Sequence, residues 1–158
     1  ISELVKQLDI MADAVIQLYK TIEEYKKQKY PQIVYKKEIK TFPIVVTLEE
    51  WFLFGDKLIQ ILDDRIREKL NINTIALEVL SDAPYTICSV NGLNMLVNAS
   101  KVKPIKQIME GKTNNSDSRL WHLDVYLRSQ YSEEISGSKV YGEDEFKDFV
   151  DSQLGQSS

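Results

Sequence analysis

A chain of 158 residues, 43% of them hydrophobic, has the size of one globular domain and can bury a sizeable core. Its net charge of −4 and pI near 5.1 argue against a general nucleic-acid binder, and no apolar run is long enough to cross a membrane. A single cysteine, Cys88, excludes an internal disulfide framework and an all-cysteine zinc site, and no signal-peptide pattern is present, so a soluble cytoplasmic protein is the expectation.

From Ser2 to Lys29 the apolar positions Leu4, Leu8, Met11, Val15, Leu18, Ile22 and Tyr25 step by four and three alternately, which predicts a long amphipathic helix. Leu4, Leu8, Met11, Val15, Leu18 and Ile22 form a heptad-like face. That face can pair with a second copy or a partner helix, or lie against this chain's own core. Val5, Ala12 and Tyr19 add an adjoining row and widen the stripe beyond a dimer seam, which favours packing within the chain.

Residues 20–40 hold seven lysines against Glu23, Glu24 and Glu38, a local excess of +4. Lys26, Lys27, Lys29, Lys36, Lys37 and Lys40 are therefore a candidate phosphate-contacting patch. The alternative is a solvated face, favoured by the acidic whole and by only four arginines, the usual readers of bases. Ile33 to Tyr35 reads as a short edge strand guarded by those lysines.

Ile44, Val45, Val46 and Leu48 make a β-branched run suited to a central strand buried on both faces, with Pro43 fixing where pairing starts. Thr47 and Glu50 have capping-box spacing, so a helix is expected from Leu48 or Glu49, and Gly55-Asp56 offers a kink or a fresh cap. Beyond it Leu58, Leu62, Ile66 and Leu70 form one helical stripe. Ile75 to Leu80 and Tyr85 to Val90 read as two further strands around Ser81-Asp82-Ala83-Pro84. Ser89 or Asn91 then caps a helix with Leu93, Leu96 and Val97, and Pro104 opens another with Ile105, Ile108 and Met109 before Gly111. Residues 113–118, TNNSDS, read as a loop, and Ser118 as the cap of a helix carrying Leu120, Leu123 and Leu127. Glu143 to Leu154 reads as a closing acidic helix and residues 155–158 as a frayed end.

The fold class that emerges is mixed α/β. A small central sheet of about three to four short strands is packed by a long N-terminal helix and several shorter helices, over residues 1–154 as one domain or part of a larger protein. Ile1 favours the latter, because an Ile after the initiator Met normally protects that Met from removal.

No catalytic, cofactor-binding or metal-binding signature stands above chance. Glu49-Glu50 and Asp63-Asp64 are paired acids without a partnering motif, better read as a helix N-terminus and a solvated face. Cys88 lies in an apolar run, as a small buried hydrophobe does. His122 and Asp124, two apart on a helix, would point about 200° from one another and cannot share an ion there. Glu38-Ile39-Lys40 spells E-x-K, but 24 acidic residues and 16 lysines yield such triplets by chance, and Glu24-x-Lys26, Glu110-x-Lys112 and Glu145-x-Lys147 also match.

The order of a long helix, then Phe42-Pro43-Ile44-Val45-Val46-Thr47-Leu48-Glu49-Glu50-Trp51, then Tyr85-Thr86-Ile87-Cys88-Ser89-Val90 leading into Leu93 and Leu96, resembles the region that follows the catalytic strands in bacterial proteins of the restriction-endonuclease-like superfamily. The resemblance implies that the metal-binding acid and the catalytic E-x-K strand would precede Ile1. It assigns no catalytic, metal or cofactor residue to this chain. What it implies is a non-catalytic region whose partner is the remainder of a parent chain, while a second copy is the partner suggested by the heptad-like face and nucleic acid the one suggested by the lysine patch.

Overall fold

The computed structural model describes residues 2–48 and 56–135. Helix α1, Ser2–Lys26, is the long N-terminal helix that the periodicity predicts. Strand β1, Ile44–Thr47, leads through α2, Asp56–Ile72, and the short α3, Val79–Asp82, to β2, Thr86–Ser89. Helices α4 (Val90–Ala99), α5 (Ile105–Thr113), α6 (Ser116–Leu120), α7 (Leu123–Gln130) and α8 (Ser132–Ile135) follow. The strands pair in parallel, Ile44 opposite Thr86 and Thr47 opposite Ser89, as the helical crossover between them requires.

Two helical layers enclose this pair. On one side Leu8, Met11, Val15 and Tyr19 of α1 and Leu62, Ile66 and Leu70 of α2 form a core that takes in Val45 and Ile87. On the other, Leu96, Ile108, Met109, Leu123 and Leu127 pack with Ile44 and Cys88. Alternate strand residues thus feed opposite cores, which is why both strands read as apolar runs. Asp9 and Asp13 of α1 pair with Arg65 and Lys69 of α2 at 2.6 Å each, so the two helices run side by side in one direction. Tyr19 lies wholly inside this layer, and its hydroxyl donates to the Ala83 carbonyl at 3.0 Å.

Several sequence expectations need correction. Among the described residues the sheet has two strands, not three to four. β1 is sandwiched between layers, yet none of its residues is fully buried: Val46 is 42% exposed, and Leu48, just past the strand's end, 91%. Ile33 to Tyr35 form no strand, and Tyr25 instead meets Tyr35 edge to face at 5.2 Å. Ile75 to Leu80 is turn and helix, because Ile75, Val79 and Leu80 reach the core at helical spacing and Asp82 N–H bonds to the Glu78 carbonyl at 2.9 Å. Gly111 does not end α5, which continues to Thr113. The segment expected as one helix from Ser118 is two, α6 capped by Asn115 and α7 beginning after His122, and part of the expected 113–118 loop is helical.

Ser89 does cap α4, accepting from Gly92 N–H at 3.1 Å. α2 starts at Asp56, and residues 49–55, with Glu50 of the capping box, lie outside the described residues, as do the expected closing helix and frayed end.

Gly111 faces α7. A Cβ built there would fall on the Tyr126 hydroxyl oxygen, while the ring Cζ would stay at 3.6 Å. Alanine favours a helix over glycine by about 1 kcal/mol, and forcing a methyl against a buried ring costs about 1–3 kcal/mol. Gly111→Ala is therefore expected to lower the denaturation midpoint in the parent chain. In a Tyr126→Phe background, with the obstructing oxygen gone, the same change is expected to raise it; a midpoint raised equally in both would contradict this packing.

Candidate functional site

A cavity of about 60 Å³ lies where β2, α2, α5 and α6 meet. All five residues from Tyr85 to Ser89 line it, which a strand permits along its edge, since alternate side chains point to opposite faces. Thr47 and Ser89, the last residues of both strands, also border it, so the cavity sits at the carboxyl ends of a parallel pair, where ligands of α/β folds commonly bind. Ile59 and Leu62 supply an apolar wall from α2, and Arg119, Leu120, Trp121 and His122 close the far side.

Lys112 occupies the last turn of α5 on the side that buries Ile108 and Met109, and only 3% of it is exposed. Its ammonium donates to the Arg119 carbonyl at 3.0 Å and pairs with no carboxylate among the described residues. Burial, and then the charge of Arg119, pull its pKa down to about 8. Ser118 holds this corner together, its hydroxyl proton shared among the carbonyl oxygens of Gly111 at 2.9 Å, Lys112 at 3.0 Å and Asn115 at 3.3 Å. That contact docks α6 on the end of α5 and so places Arg119.

Arg119 reaches Asp63 of α2 at 3.4 Å, and Asp63 also accepts from the Tyr85 hydroxyl at 2.7 Å. Burial and the neighbouring Asp63 carboxylate hold the Tyr85 phenol above its ordinary range. Thr86 is 3% exposed and its hydroxyl has no hydrogen-bond partner among the described residues. Burial, and then the charge of Asp124, push the Cys88 thiol up to about 11, so at neutral pH it is an uncharged core group.

The residues singled out by sequence fall elsewhere. Leu8, Met11, Val15 and Ile22 are buried in the α1–α2 core, Leu18 is half-buried and Leu4 is exposed, so the heptad-like face is already occupied by α2. Lys26, Lys37 and Lys40 border a groove of about 550 Å³ between α1 and residues 35–41. Lys26 pairs with Glu23 at 3.1 Å, Lys29 with Glu24 at 3.2 Å and Lys40 with Glu110 at 2.9 Å, which neutralises half of the six-lysine patch. Lys27, Lys36 and Lys37 form no ion pair among the described residues. Asp63 of the Asp63-Asp64 pair is tied to Tyr85 and Arg119, Glu38-x-Lys40 lies in an exposed turn, and His122 precedes α7 rather than lying within it. No group of three or more His, Cys, Asp or Glu that could hold a metal occurs among the described residues.

Lys112 and Arg119 were not among the sequence candidates. One signal for Lys112 was available, since it continues the stripe of Ile105, Ile108 and Met109 and so puts a cation on a buried face.

Fold and site together define a helix-rich α/β domain with a parallel strand pair and a lysine-bearing cavity at the strand ends. Comparison with family models, with curated proteins and with solved structures finds no match to this chain. No helix among the described residues is long and apolar enough to cross a membrane.

Proposed function

We propose that this chain is a non-catalytic, substrate-side region of a larger bacterial cytoplasmic protein of the nuclease-like kind, one that holds a ligand and leaves bond-breaking to residues elsewhere. The lining of the cavity carries the proposal. It is lined by Lys112, Arg119 and Thr86, with Thr47 and Ser89 at its rim, and by no carboxylate among the described residues. Such a wall suits an anionic group, whereas a hard divalent cation needs carboxylate oxygens.

Among the described residues no strand pairs with the outer edge of β1, which supports the idea of a larger sheet. Thr86 N–H bonds to the Pro43 carbonyl at 2.9 Å, so in a parallel ladder the peptide groups of Val45 and Thr47 face β2 while those of Ile44 and Val46 face away. Two-stranded sheets are marginal alone, and further strands joining this edge would complete it. The order of α1, β1, α2 and β2 is the feature on which the resemblance to restriction-endonuclease-like proteins rests.

Incubated with supercoiled plasmid and magnesium or manganese, the chain alone is expected to leave the DNA intact. Metal-dependent nicking that survives purification to homogeneity would overturn the non-catalytic reading. The parent gene tests the family part: a proline-aspartate followed by an E-x-K strand upstream of Ile1 is expected, and their absence refutes it.

A further inference from the structure

We propose that the cavity between Thr86, Lys112 and Arg119 is a binding site for a single tetrahedral oxyanion group, phosphate or sulfate, carried by a small ligand or free. The inference deepens the substrate-side reading and rests on it for the cavity's being a ligand site, but not for the nuclease-like affiliation.

Three independent features converge. First, Lys112 is a buried cation with no carboxylate partner. An ammonium taken out of water is tolerated when opposite charge or hydrogen bonds replace the lost solvent. Lys112 has three donors, and one is used, on the Arg119 carbonyl. The two that remain need acceptors. Second, the Thr86 hydroxyl is buried and unpartnered at the same cavity, and a buried polar atom without a partner calls for an explanation. An oxyanion accepts from it directly. Third, among the described residues the Arg119 guanidinium makes one side-chain hydrogen bond, Nη2 to Asp63 at 3.4 Å, and a guanidinium has five N–H donors suited to tetrahedral oxyanions.

Charge and size agree with this assignment. Lys112 and Arg119 are two cations, and Asp63 is the one carboxylate that pairs with either of them among the described residues. A cavity of 60 Å³ has room for about four water-sized probes, which suits one group of four oxygens and not a whole nucleotide. The wall of Leu120 and the exposed face of Trp121 lie beside it, where the organic body of a phosphate ester would rest. The lysine groove at Lys26, Lys37 and Lys40 is the competing anion surface, but two of its three cations already have carboxylate partners.

The test is a titration of the intact, nitrogen-15-labelled chain with sodium phosphate up to about 10 mM, with sodium chloride holding the ionic strength constant. Saturable amide shifts are expected at residues 86–89 and 112–122. Lys112→Met and Thr86→Val are each expected to weaken binding by about tenfold, and Lys37→Met to leave it unchanged. Thr86→Val removes an unsatisfied hydroxyl at nearly constant shape, so it keeps the test readable if Lys112→Met does not fold. Phenyl phosphate binding tighter than inorganic phosphate assigns the group to an ester; equal or weaker binding assigns it to the free ion, and both uphold the site. Shifts without saturation, shifts centred on Lys37, or an affinity unchanged in Thr86→Val overturn it. None of these outcomes depends on the plasmid assay, so the two proposals fail separately.

Discussion

Leu8→Ala is expected to lower the free energy of unfolding by about 2–5 kcal/mol, with a denaturation midpoint that does not move when the protein is diluted. Leu8 is 1% exposed and sits in the shared core of α1 and α2 with Ile66 and Leu70. Truncation there removes several buried methyl groups and leaves a cavity that two ion-paired helices cannot easily collapse into. The Asp9–Arg65 and Asp13–Lys69 pairs bridge the two helices at the surface beside this core. Leu8→Glu, which would bury a carboxylate with no partner, is expected to prevent folding altogether. Urea denaturation at two concentrations about tenfold apart separates the two roles this face had on sequence grounds. A midpoint rising with concentration would mean that the face binds a second copy and that α2 does not cover it in solution.

The second large effect is electrostatic. Lys112 is held at about 8 in the fold against 10.5 in an unfolded chain, so between those values the unfolded state binds more protons. Stability attributable to this residue therefore rises with pH from about 8 to about 10.5, by on the order of 3 kcal/mol at completion. Other groups oppose it. Cys88, raised from 9 to about 11, stabilises the fold below pH 9 and loses that contribution as pH climbs toward 11. The phenols of Tyr19, Tyr85 and Tyr126, raised chiefly by burial, act in the same sense above pH 10. Both forms of the protein share these groups, so the stability of the parent minus that of Lys112→Met isolates the lysine. This difference is expected to climb with pH from about 8. A flat difference would mean that the ammonium is solvated.

Much of the scaffold was legible because its signals are local. The stripe of α1 repeats over six turns, and a 3.6-residue period of that length has no competing interpretation. The second strand was legible too, though the sequence left its cap open between Ser89 and Asn91 and carried the strand on to Val90, which in fact opens α4 behind the Ser89 cap. Ile75 to Leu80 was misread because a six-residue apolar run fits either period, and contact with the α1–α2 core decided for a helix.

The site was harder still. Asp63 meets Tyr85 across 22 residues and Arg119 across 56, and no local pattern encodes either contact. Lys112 shows how charge misleads: it reads as one more solvated lysine in a Glu110-x-Lys112 triplet, yet helical phase places Glu110 against Lys40 and Lys112 inside. The lysine patch misleads in the opposite direction, since its cations were visible while the carboxylates that neutralise Lys29 and Lys40 lie five and seventy residues away.

Anion binding in this cavity requires Lys112 to be a buried cation, with no carboxylate paired to it among the described residues. Carbon-13 chemical shifts of the Lys112 Cε, followed through an alkaline titration in phosphate-free buffer, read that state directly. A midpoint near 8 is expected; one at 10.5 or above would show an ammonium in water or paired with a carboxylate, and would remove the basis for an anion site in this cavity.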